Sequence, residues 1–120
     1  MINQNILYVF FWLLLGAVLA IGIMPAEDAP AVFANDKFNH VLAFYTLSLM
    51  ARILWSRVDA IFLFAMLSVF GGGIEILQMA MGFGRDADWM DFATDIIAIA
   101  FGILSGKMFA SWKGKASITE

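Results

Sequence analysis

Residues 60–81 read AIFLFAMLSVFGGGIEILQMAM, a run in which Glu75 is the single charge. An α-helix rises about 1.5 Å per residue, so about 20 apolar residues cross the ~30 Å hydrocarbon core of a bilayer. This run is long enough to do so. The chain around it has the same character: 62% hydrophobic residues, 14% charged, and a mean hydropathy of +0.87. Soluble domains run at about 45–50% apolar and about 25% charged. A chain of 120 residues has too little interior to hide so much apolar surface from water. Lipid is the solvent this composition fits.

Three further segments repeat the pattern. Ile6–Met24 carries no charge and is closed by Pro25; Phe38–Trp55 lies between Asp36–Lys37 and Arg57; Phe92–Trp112 holds Asp95 near its start and Lys107 near its end. The expected fold is therefore all-α, a polytopic membrane protein forming a four-transmembrane-helix bundle in one domain over residues 1–120, with Ala60–Met81 as the third span. The second span is the shortest. The first differs from a cleaved signal peptide, because Met1-Ile2-Asn3-Gln4-Asn5 has no Lys or Arg and the apolar run exceeds a normal signal core.

Basic residues in short loops set topology. One side would hold Arg52, Arg57, Lys107, Lys113 and Lys115, and the other only Lys37 and Arg85, which predicts both termini in the cytoplasm. Tyr8, Trp12, Trp55 and Trp112 sit at the expected interfaces, and Trp89 falls in the third loop. With no cysteine, disulfides, thiolate metal sites and a Cys nucleophile are excluded. A net charge of −3 without a basic patch gives no reason to expect nucleic acid.

In this topology the polar residues collect at the outer ends of helices two, three and four. Asp36, Lys37, Asn39 and His40 open the second helix; Glu75 and Gln78 close the third; Arg85, Asp86, Asp88 and Asp91 follow, with Thr94 and Asp95 entering the fourth. Lys37/His40 and Glu75/Gln78 are spaced i,i+3 and Asp91/Asp95 i,i+4, so each pair shares a helix face. Three helices can thus turn polar pairs toward one point. A charge inside a span costs at least ~2.5–3.5 kcal/mol, so Glu75 is expected to face protein or water.

Plainer roles compete. Asp36 suits an N-cap, and Asp88 with Asp91 resembles a capping box. Arg85 and Asp86 suit solvated loop positions, and Lys107 suits a snorkelling cation. A lone histidine is usually structural, but His40 has Asp36 and Lys37 beside it. Glu75 has no capping explanation. Arg85, after the Gly82-Phe83-Gly84 turn, is its expected partner, with Lys37 next. Ala98, Gly102 and Gly106 form a small-residue stripe that suits close helix packing and is a candidate homo-oligomer face. Gly71-Gly72-Gly73 suits close packing or a hinge. The short third loop makes helices three and four expected neighbours.

Asp36-Lys37-x-x-His40, Glu75-x-x-Gln78, and Arg85 followed by Asp91 and Asp95 resemble, in order and position, the VanZ-like family of small bacterial membrane proteins. The resemblance covers about residues 36–106. This chain differs where the family often has an acidic residue (Ile74), usually has Asn (Asp95), and has Gly (Ala98). The resemblance implies a multi-pass protein of the bacterial cytoplasmic membrane, associated with the cell envelope. The family takes its name from a protein linked to teicoplanin resistance, so antibiotic resistance enters as a family association only.

Three functions follow as expectations. In the first, the cluster Asp36, Lys37, His40, Glu75, Gln78, Arg85, Asp91 and Asp95 binds an anionic membrane lipid or lipid-linked precursor on the extracytoplasmic side, with Arg85, Lys37 and His40 on phosphate. In the second, a membrane enzyme acts on such a headgroup, with Glu75 or His40 as general base and a divalent cation admitted by Asp91 and Asp95. A phosphatase needing two histidines is excluded, since His40 is the only one. In the third, the cluster is a structural scaffold.

Overall fold

A computed structural model describes residues 3–24, 36–81 and 89–119, with side chains over 3–24, 38–81 and 89–112. Four helices account for nearly all of this: α1 (Gln4–Ile23), α2 (Asp36–Leu54), α3 (Ala60–Met81) and α4 (Trp89–Thr119). No strand occurs among the described residues. The Gln4–Ile23, Ala60–Met81 and Trp89–Trp112 helices are long and apolar enough to cross a membrane; α2 is apolar over the shorter Phe38–Leu54.

Local chemistry sets the ends. Asn3 caps α1, its side-chain oxygen accepting from the Asn5 N–H at 2.9 Å. α1 stops at Ile23, just before Pro25, whose missing N–H cannot extend the ladder. Between α2 and α3 the chain reverses in a few residues: the Trp55 N–H donates to the Ala51 carbonyl at 2.9 Å, and the Asp59 carboxylate accepts from the Ile61 N–H at 3.0 Å to start α3. That tight connection makes α2 and α3 antiparallel.

The principal interface joins α2 to α4, which run parallel. Gly102 lies against Ser48 and the Tyr45 carbonyl, and Gly106 against the Arg52 Cβ. A Cβ at Gly102 would collide with Ser48 Oγ and stand 2.6 Å from the Tyr45 oxygen. Backbones approach this closely only where the side chain is hydrogen. The Tyr45 hydroxyl donates to Ser105 Oγ at 2.8 Å across the same seam.

Phe44, Leu47, Ala51 and Leu54 of α2, Leu67 and Ile74 of α3, and Ala98, Ile99 and Ile103 of α4 form the core, with Phe11 of α1. α1 buries only that residue and otherwise presents its surface outward. It is pinned at one end by edge-to-face contacts of Tyr8 and Phe11 with Trp55, and by the Tyr8 hydroxyl donating to the Leu54 carbonyl at 2.9 Å. Leu13, Ile61, Val69, Met108 and Trp112 are exposed. Outward-facing apolar side chains are what a bundle solvated by lipid presents.

Some sequence expectations need correction. Trp89 is the first residue of α4, not a loop residue, and α4 runs past Trp112 to Thr119. α2 begins at Asp36, and the N-cap role expected of its side chain lies outside the described residues. Trp55 lies in the turn after α2. The Ala98–Gly102–Gly106 stripe packs on α2 within the chain, so that face is occupied internally. α3 continues unbroken through its glycines: Gly71 is closed in by Asp95 and Phe44, and Gly72 by Phe92, so these two pack closely, while a Cβ on Gly73 would meet nothing within 4 Å.

Candidate functional site

His40 falls in the second turn of α2, Asp95 in the second turn of α4, and Glu75 near the end of α3. Because α2 and α4 are parallel and α3 opposes them, these positions lie at one end of the bundle. The geometry is close. His40 Nδ1 and Asp95 Oδ1 are 2.8 Å apart, and one ligand-type atom from each of His40, Glu75 and Asp95 lies within 4.8 Å of the others. Asp91, one turn before Asp95, places Oδ2 3.9 Å from His40 Nε2.

Burial grades across the group. Glu75 and Asp95 are each 1% exposed, whereas the side chains of His40 and Asp91 keep 14% and 15%. The carboxylates of Glu75 and Asp95 form a floor, and His40 with Asp91 marks the opening. Phe44, one turn on from His40, stacks its ring parallel to the imidazole at 6.4 Å between centroids. Gly71 gives Asp95 its room, since a Cβ there would stand 3.2 Å from Asp95 Oδ2 and 3.4 Å from the Phe44 ring.

Gln78 does a neighbouring job. Its side-chain amide donates to the Gly22 carbonyl at 2.6 Å. Gly22 is among the last residues of α1, whose final carbonyls have no helical partner and, in lipid, no water. Gln78 reaches it because α1 and α3 touch there, a Cβ on Gly22 standing 2.9 Å from the Ile74 side chain. Gln78 therefore ties α1 to the same end of the bundle.

The structure thus brings together His40, Glu75, Asp91 and Asp95, with Gln78 adjoining. The side chains of Asp36 and Lys37, and Arg85 with its loop, lie outside the described residues. Thr94 is turned back on its own helix, its hydroxyl donating to the Met90 carbonyl at 2.8 Å. Among the described residues His40, Glu75 and Asp95 form a grouping from three helices, Asp95 Oδ2 lying toward Gly71 of α3, while Asp91 of the expected Asp91/Asp95 cation pair stands at the rim. Phe44, Gly71 and Gly22 were not anticipated as site-forming. Phe44 at i+4 from His40 was the one legible signal.

Chemically, an imidazole held at Nδ1 by a carboxylate has a fixed ring orientation. In the tautomer with the proton on Nδ1, Nε2 carries the lone pair and faces the opening. Such a nitrogen can take a proton; in the other tautomer Nδ1, beside Asp95 at 2.8 Å, carries the lone pair and can ligate a metal ion. No protein-family profile, curated protein or solved structure matches this chain.

Proposed function

We propose that this chain is an integral membrane protein of the VanZ-like type that binds the anionic headgroup of a membrane lipid or lipid-linked precursor at the His40–Glu75–Asp95 end of the bundle, on the extracytoplasmic side. The observation that carries this reading is the convergence of His40, Glu75 and Asp95, from three helices, to within 4.8 Å. Inserting a carboxylate in a span costs at least ~2.5–3.5 kcal/mol, so two in one place need a return. Lys37 and Arg85, beside these helix ends in sequence, supply phosphate contacts, and the carboxylates orient the bases and headgroup hydroxyls. The bilayer brings such a ligand to the opening beside His40 and Asp91.

The test is lipid retention by the purified chain in nanodiscs, comparing a polyprenyl phosphate with phosphatidylcholine. The expected result is saturable retention of the phosphate lipid, lost in Arg85→Ala and His40→Ala. Equal retention of both lipids overturns the reading. If Glu75→Gln loses the fold and not the lipid, the cluster is a scaffold.

The 2.8 Å contact between His40 and Asp95 favours a second reading, in which His40 is the general base of an enzyme acting on the headgroup. Turnover of a polyprenyl phosphate or diphosphate by the wild-type chain, abolished in His40→Ala, would establish it.

A further inference from the structure

We infer that His40, Glu75 and Asp95 form a binding site for a single divalent first-row metal ion, of the manganese or zinc class, and that the anionic headgroup is bound through it. The presence of the ion stands on geometry alone; its role toward a headgroup rests on the function proposed above. Donors lie about 2.0–2.2 Å from such an ion, so two donors sharing it stand about 3 to 4.4 Å apart. The three side chains offer one atom each within 4.8 Å of one another, a few tenths of an ångström of side-chain movement from that range. His40 Nδ1 and Asp95 Oδ1, at 2.8 Å, stand as near as two donors on one ion, while Asp91 Oδ2, 3.9 Å from the other ring nitrogen, lies at the rim outside this donor set.

The donor set differs from an acidic helix cap in three ways. It includes an imidazole; it comes from three helices; and its two carboxylate residues are 99% buried, where a solvated acidic patch would be exposed. Two carboxylates and one imidazole suit manganese or zinc, whereas magnesium and calcium take oxygen donors almost exclusively. Three protein donors leave coordination positions open, and burial confines them to the side where His40 and Asp91 reach the surface. There a phosphate oxygen can complete the shell. The ion reconciles a carboxylate-rich floor with an anionic ligand, because it draws both.

The experiment uses the full chain, purified, stripped with a chelator and titrated with Co²⁺ by absorption and Mn²⁺ by EPR. One ion per chain is expected, with ligand-field bands that include nitrogen coordination. His40→Ala, Glu75→Gln and Asp95→Asn should each weaken binding at least ~10-fold, the scale seen when a metal site loses a supporting group. Asp59→Asn, at the opposite end of α3, should leave it unchanged. The wild-type titration needs no variant, so misfolding of one cannot obscure the outcome. No saturable binding by the wild-type chain, or binding unaltered in all three variants, overturns the inference. Metal binding without retention of polyprenyl phosphate leaves the site standing and removes the headgroup reading. Lipid retention that is unchanged by chelator, in a chain that binds no metal, removes the site and leaves the lipid reading.

Discussion

His40 and Asp95 meet at 2.8 Å across the α2–α4 seam, although 55 positions separate them in sequence. Helices α2 and α4 run parallel, and the glycines at 102 and 106 let their backbones close together. The contact is therefore a product of the packing beneath it, and it joins the two helices at the end where the buried carboxylates lie.

That pair should be energetically coupled. Asp95→Asn and His40→Ala are each expected to destabilise the bundle by about 1–3 kcal/mol, since the first removes the charge and the second the imidazole from the 2.8 Å contact. The double variant should cost less than their sum by more than ~0.5 kcal/mol. Denaturant unfolding in detergent, read by circular dichroism, measures the cycle; strict additivity would mean the two groups act separately.

Glycine substitutions should separate packing from propensity. Alanine is favoured over glycine in a helix by ~1 kcal/mol. Gly16→Ala meets nothing within 4 Å, so it should be neutral or stabilising. Gly102→Ala drives a methyl into Ser48 and the Tyr45 carbonyl, and should destabilise by about 1–3 kcal/mol. Thermal unfolding of the two variants side by side checks this, and equal shifts would contradict the described α2–α4 seam.

Gln78→Leu should loosen α1. It removes the donor to the Gly22 carbonyl and leaves that oxygen in an apolar surround, a loss of about 1–3 kcal/mol. Disulfide trapping between cysteines at Met24 and Met81 should slow in the variant if Gln78 holds these helix ends together. An unchanged trapping rate would assign α1 docking to the Tyr8–Trp55 end.

Topology can be tested directly, because the chain has no cysteine of its own. Cysteines at Ala29 and Gly84 should react with an impermeant thiol reagent added outside the cell, and one at Ser117 should not. The opposite pattern would put the His40 end of the bundle in the cytoplasm.

The sequence by itself determined the class of fold. The uncharged run before Pro25 and the single carboxylate in residues 60–81 rest on length and hydropathy, which neighbouring residues suffice to specify. It also drew attention to His40, Glu75, Asp91 and Asp95, because ionisable residues in apolar helices are costly wherever the helices go. What only the tertiary structure decided is who meets whom. A small-residue stripe packs equally well on a partner chain or on a helix of its own chain, and here Gly102 and Gly106 take α2. That choice brings His40 to Asp95, leaves Asp91 at the rim, and makes a three-helix group of His40, Glu75 and Asp95 where spacing along α4 alone had paired Asp91 with Asp95. Gln78 likewise shared a face with Glu75 in sequence, yet the approach of α1 at Gly22 turned its amide to a helix end. Helical periodicity fixes the face a residue occupies; the neighbour on that face is set by which backbones can approach.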